Sequence, residues 1–236
     1  VEDLLEELKK RVCKANQKLP ELGLSVFTWG NVSGLDREKG LFVIKPSGVP
    51  YDELCPEKMI VMNLGCEKVE GALNPSSDTP THCGLYKAFP KIGGIVHTHS
   101  RWATIWAQAG ASIPVLGTTH ADCFYGPIPC TREMTFAEIR GEYEKETAAV
   151  IAEAFAETDP MDIPAALVRL HGAFAWGKDC GGAVYNAAAL EEVAMMAWHT
   201  VSMPQNTKSS VTQALIDRHF LRKHGKGAYY GQNHGV

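Results

Sequence analysis

Residues 93–108, GGIVHTHSRWATIWAQ, set a short apolar run directly against a segment of helical spacing. The run reads as a buried strand. Ser100 stands at the cap position of a helix reaching to about Gln108. A strand that feeds a helix without a linker is a unit of an α/β chain. His97 and His99 lie at i and i+2, so a strand places both imidazoles on one face. Two nitrogen donors then point into the same space. A metal site and a hydrogen-bonded core pair both satisfy this pattern.

The rest of the chain keeps the alternation. Leu4, Leu5, Leu8, Val12 and Ala15 recur at helical spacing, and Pro20 closes that helix. SVFTWGNVSG and LFVIKPSG read as strands around the polar turn GLDREKG, as in a hairpin, and MIVMNL as a further strand. NPSSDTPTHCGLYKAFP carries a helix start, with Pro80 in the first turn and Leu85, Tyr86 and Phe89 on an apolar stripe. EIRGEYEKETAAVIAEAF reads as one long helix with an acidic outer face. AALVRLHGAFAWG reads as an apolar strand continued by a turn, and DCGGAVYNAAALEEVAMMAWHTVSM as a deeply packed helix. No repeat or low-complexity linker interrupts the order, and the expectation is one α/β domain over residues 1–236.

Composition narrows the partners. A formal net charge of −4 offers no global basic field to nucleic acid or an anionic membrane. The basic run DRHFLRKHGKG near the end reads as a solvated helix face or tail. Seven widely spaced cysteines without a CxxC pair fit free thiols in a reducing cytoplasm. The charged amphipathic start is not that of a signal peptide, and no apolar stretch approaches a bilayer span.

Polar residues gather at the ends of elements. PSSDTPTH offers Asp78, VRLHGAFAWG offers His171, and TTHADCFYG offers His120 and Asp122. Asp78 with His97, His99 and His171 would make three nitrogens and one oxygen, a zinc-like set that also suits Mn²⁺ or Co²⁺. Spacing alone does not bring His171 to the pair. Ser76 and Ser77 ahead of a helix start, with Lys45, Ser47 and Gly48 of KPSG, suit an anion such as phosphate, or serve as ordinary turn chemistry. No P-loop, nucleophile elbow, Rossmann fingerprint or HExxH is present. Glu142, Glu144 and Glu146 read as the wet side of a helix, and Trp102 and Trp106 as packing.

Taken together, TWGNVS, VIKPSGV, PSSDTPTH, GGIVHTHS, GTTHAD, HGAFAWG and LRKHGKGAYYGQ resemble the L-ribulose-5-phosphate 4-epimerase group of the class II (zinc) aldolase/epimerase family. They follow the family's order over nearly the whole chain. The resemblance implies a three-layer fold, with a central, largely antiparallel sheet between helices. It implies zinc on Asp78, His97, His99 and His171. Asn31, Ser47, Gly48, Ser76 and Ser77 would line the phosphate pocket, with Lys45 and Thr118 close to a sugar-phosphate substrate. Asp122 and Tyr230 would form the acid/base pair, with His219 and Glu144 nearby, although Tyr229 adjoins Tyr230. It further implies a cytoplasmic homotetramer with active sites at subunit interfaces, reached by the tail from about residue 224 to 236.

The implied chemistry explains the shared parts. The ketone of L-ribulose 5-phosphate is at C2, so deprotonation at C4 would leave an unstabilised carbanion. Retro-aldol cleavage of C3–C4 gives an enediolate and glycolaldehyde phosphate. Re-addition to the other aldehyde face gives D-xylulose 5-phosphate, and both arabinose and ascorbate breakdown use this step. A sister aldolase would cleave a ketose 1-phosphate and release its products. That branch typically carries glutamate where this chain has Asp78, so the aspartate favours the epimerase. An adducin-head-like interaction module would lack the metal ligands, all four of which are here.

Overall fold

The computed structural model describes residues 2–204 and 211–229. Helix α1 (Glu2–Glu21) includes Pro20 in its last turn, where a missing N–H still leaves the preceding turns intact. It buries Leu8, Val12, Ala15 and Leu19. Strands β1 (Asn31–Asp36) and β2 (Leu41–Ile44) form the expected hairpin. Strand β1 starts only at Asn31, because residues 25–30 form a loop. Strands β3 (Ile60–Asn63) and β4 (Lys68–Glu70) complete this half of the sheet. Helix α2 (Thr79–Ala88) follows, then β5 (Gly94–Thr98) and α3 (Arg101–Ala109).

Two sequence expectations change beyond this point. The single acidic helix is two: α5 (Phe136–Arg140) and α6 (Tyr143–Ala154), after the short α4 (Thr118–Ala121). Thr135 and Glu138 form a capping box that starts α5 afresh, and Gly141 interrupts the helical backbone. The apolar segment from Ala165 is also two elements, β6 (Ala165–Val168) and β7 (Gly172–Gly177), joined by a tight turn. Leu170 takes a left-handed φ of 63° in that turn, and its N–H donates to Ala107 O at 3.0 Å. Helices α7 (Cys180–Ser202) and α8 (Gln213–His224) end the described chain.

The seven strands run in the order β4-β3-β2-β1-β5-β7-β6, and every neighbouring pair is antiparallel. Alternation along β1 sorts the two faces. Ser33 meets His82 and Tyr86 of α2, whereas Gly34 faces Leu8 and Val12 of α1 and Cys180 of α7. Helices therefore cover both sides of the sheet, giving the three-layer α/β architecture. Helix α3 shows a substitution of roles: Ser100 is at its N-cap without capping it. Glu191 of α7 instead accepts the Trp102 and Ala103 N–H groups at 2.8 and 3.0 Å.

The sheet packs tightly against the start of α7 at Gly94. A Cβ there would lie 2.3 Å from the Asp179 carbonyl group, against backbone that cannot swing aside. Gly94→Ala is expected to destabilise the chain by about 1–3 kcal/mol, read as a lower urea midpoint. An unchanged midpoint would mean that this contact relaxes freely.

Candidate active site

Three neighbouring strands assemble one end of the site. In the register Asn31 of β1 opposes His97 of β5, which opposes Phe174 of β7. Beside that row, His99 follows β5 and His171 occupies the turn entering β7. Among the described residues, the ring nitrogens of His97, His99 and His171 come within 4.8 Å of one another. The ring of His171 is centred 4.9 Å from each of the other two.

The hydrogen bonds fix what these rings offer. His97 Nδ1–H donates to Ala173 O at 3.0 Å, which leaves the Nε2 lone pair free. His99 Nε2 lies 3.1 Å from that atom. Two ring nitrogens so close need a shared proton or a shared cation between them. Burial holds His99 below the usual histidine range, and the neighbouring His97 adds to the effect. Burial, followed by His97 and His99, lowers His171 to about 4. Imidazoles kept neutral in this way at His99 and His171 suit a divalent cation.

Asp78 occupies the N-cap position of α2 but makes no side-chain cap. Its Oδ2 accepts from Asn31 Nδ2 at 2.6 Å, and the same amide donates to Ser76 Oγ at 3.0 Å. Burial opposes ionisation of Asp78, but its electrostatic interactions with His97 and His82 and the Asn31 hydrogen bond outweigh it and lower its pKa. Asp78 lines the same cavity as the three histidines, of about 650 Å³.

The polar wall of the cavity is made by two chain segments. A Pro46–Pro75 bridge, with Ser47 N–H to Asn74 O at 2.9 Å and Ser76 N–H to Lys45 O at 3.0 Å, sets KPSG beside PSSD. Ser47, Gly48, Ser76 and Ser77 line the space. Lys45 is 2% exposed, and burial lowers its pKa to about 8. Its Nζ sits 5.0 Å from the Tyr51 ring centre and 3.3 Å from Pro46 O.

Breaking the acidic segment at Gly141 turns Tyr143 and Glu144 onto the cavity wall, so Glu144 is not simply on a wet face. Sequence reading passed over Tyr143, although its place between that glycine and Glu144 was a usable signal. Its hydroxyl lies 3.3 Å from His171 Nδ1. With Nδ1–H donating to the phenol oxygen, His171 Nε2 becomes the ligating atom. Tyr143→Phe is expected to weaken metal binding roughly 10–100-fold, measured by chelator competition. Unchanged affinity would reduce this contact to packing. His82 was also missed: it is buried, its Nδ1 meets Ser33 Oγ at 2.7 Å, and burial lowers it to about 3.

Asn31, Lys45, Ser47, Gly48, Ser76, Ser77, Asp78, His97, His99, Glu144 and His171 thus share one cavity, whereas Thr118, Asp122 and His219 are not on its described wall. Asp122, just after α4, faces α8. It accepts from His219 Nδ1 at 3.1 Å and from Arg222 Nη2 at 2.9 and 2.8 Å, with Lys223 Nζ at 3.5 Å. Burial opposes its ionisation, but the Arg222 and His219 hydrogen bonds and the Lys223 charge hold it below the usual carboxylate range. His120 donates from Nε2 to Gly126 O at 2.8 Å, a structural bond. Tyr230 lies outside the described residues.

An antiparallel three-layer fold with a clustered His site defines a recognisable class. Residues 10–198 match the class II aldolase and adducin N-terminal domain, and the chain belongs to that family. Among solved structures it is similar to an L-fuculose 1-phosphate aldolase at 25% identity and a TM-score of 0.78, covering 90% of this chain and 94% of the other. The L-fuculose-1-phosphate aldolase from Thermus thermophilus is 26% identical with a TM-score of 0.65, covering 84% and 97%. A sugar-phosphate aldolase from Thermotoga maritima shares the fold at 20% identity and a TM-score of 0.68, covering 86% and 98%. The family match, with the clustered histidines, supports metal-dependent aldolase/epimerase-type chemistry. Among the described residues, no helix is long and apolar enough to cross a membrane.

Proposed function

We propose that this chain is an L-ribulose-5-phosphate 4-epimerase. The observation that carries the reading is the short carboxylate of Asp78, tied to Asn31 at 2.6 Å on the wall shared with His97, His99 and His171. An aspartate held in that way is a better fixed ligand than a base that must swing away. Asp78, His97, His99 and His171 would hold the metal, zinc in our reading with Mn²⁺ or Co²⁺ as substitutes. A bound dication supplies Lewis acidity toward ketose oxygens.

The remaining roles belong to the chain itself. Ser47, Gly48, Ser76 and Ser77, with Asn31 and Lys45 beside them, anchor the phosphate so that the aldehyde fragment turns without leaving. Asp122 takes the proton from the C4 hydroxyl, and Tyr230 returns one to the new alkoxide on the other face. His219 orients Asp122, Glu144 assists from the cavity wall, and Thr118 lies near the substrate. Asp122 and His219 are engaged with each other off the described wall, which supports their delivery by a neighbouring subunit. The working form is a cytoplasmic homotetramer of single-domain chains, residues 1–236, with the tail from about residue 224 reaching the site.

The decisive experiment incubates metal-loaded protein with L-ribulose 5-phosphate and identifies products by NMR. D-xylulose 5-phosphate is the expected product. The similarity to fuculose-1-phosphate aldolases favours a second reading, cleavage of a ketose 1-phosphate with release of both fragments. Turnover of that substrate alone would replace the first reading.

A further inference from the structure

The loop before β1 carries aromatic surface that the proposed chemistry leaves unused. Phe27 and Trp29 are 79% and 52% exposed and meet edge to face with centroids 5.5 Å apart. Trp29 lines the cavity, with its ring centred 6.4 Å from that of His99. Most of the wall elsewhere is serine, carboxylate, lysine and histidine.

This loop is held in place. Phe27 takes a φ of 55°, unusual for a bulky side chain. Tyr51 Oη donates toward Trp29 O and Gly30 O at 2.6 and 2.9 Å, and Ser25 Oγ also donates to Trp29 O. Gly30, at φ 82°, brings the chain so close to β5 that a Cβ would lie 2.6 Å from His97 O. A strained turn pinned by several bonds keeps the indole beside the histidines.

We propose that Trp29 is a specificity-determining residue that retains the aldehyde fragment, an inference resting on the epimerase reading. The fragment must rotate to expose its second face, and an aldehyde in water hydrates. An indole face excludes water and makes no directional hydrogen bonds, so it shields the carbonyl while leaving rotation free. Without that wall, escape competes with re-addition. The C3–C4 bond breaks, the C4 hydroxyl proton leaves, and C4–C5 departs as glycolaldehyde phosphate. The enediolate then takes a proton at C3 and leaves as dihydroxyacetone.

The test follows both outcomes in one reaction. Wild type, Trp29→Phe and Trp29→Ala, each matched for bound metal, are incubated with L-ribulose 5-phosphate, and D-xylulose 5-phosphate, dihydroxyacetone and glycolaldehyde phosphate are quantified. Trp29→Ala is expected to raise the ratio of released fragments to epimer by about tenfold or more, and Trp29→Phe to stay within about threefold of wild type. An unchanged ratio in Trp29→Ala, with wild type producing epimer, overturns the inference and leaves the epimerase reading standing. A wild type that forms no epimer overturns both. Binding gives a readout without turnover: glycolaldehyde phosphate added to metal-free protein is expected to quench tryptophan emission in wild type and not in Trp29→Phe. Equal quenching in both would place the fragment away from Trp29 and overturn the inference.

Discussion

His99→Ala protein is expected to lose bound metal and turnover together, with activity falling roughly 10³-fold or more. That corresponds to at least about 4 kcal/mol of transition-state stabilisation. His99 suits the test because it is the exposed member of the three and lies just beyond the end of β5, so its removal spares the core. His97 is a harsher site, because its ring also stacks on Phe174 at 4.3 Å and donates to Ala173. Elemental analysis and circular dichroism of the same sample separate metal loss from unfolding. Full metal content with normal turnover would return the histidine pair to a packing role.

The second large effect concerns Asp122. Asp122→Asn keeps the shape of the side chain but removes its basicity, and kcat is expected to fall roughly 10²–10⁴-fold with metal content unchanged. The loss is about 3–5 kcal/mol of barrier. If Asp122 serves a neighbour's cavity, mixing inactive Asp122→Asn and His97→Asn chains should restore part of the activity. Mixed assemblies then contain intact metal sites facing intact aspartates. Verified subunit exchange without recovery would confine Asp122 to its own chain. Tyr230→Phe offers the same complementation for the tail.

The Asp122 clamp also predicts an acid limb of stability. A carboxylate held below its ordinary range contributes above the unfolded value, near 4, and loses that contribution as pH falls through the folded value. Arg222→Leu should therefore flatten the stability profile below about pH 4. A profile as steep as that of wild type would assign the acid limb to other carboxylates.

What was legible from the residues depended on how local the cause was. The β1–β2 hairpin, β5 and α2 carried their own signals in turn residues, apolar runs and a first-turn proline. The metal histidines were half legible: i, i+2 spacing joins His97 to His99, but His171 arrives through cross-strand register with β7, which no local pattern encodes. The expectation of one acidic helix failed because Gly141 looks tolerable in a helical pattern, and tertiary fit decides whether it becomes a break. The position of Ser100 points to a cap, yet the cap comes from Glu191, far along the sequence. The separation of Asp122 from the described cavity wall was likewise invisible, since it depends on how α4 and α8 pair.

The register that aligns Asn31, His97 and Phe174 gives the putting-together of this site an unusual thermodynamic order. His97 lies within the sheet, and His99 and His171 adjoin strand ends that the sheet's own hydrogen bonds and core hold together, so much of the ordering entropy is spent when the chain folds, before an ion arrives. Ion uptake should then resemble filling a rigid crown rather than zipping up a zinc finger. Chelation would leave the far-ultraviolet dichroism and the hydrodynamic radius in place, and re-addition would restore the loaded form without a refolding phase.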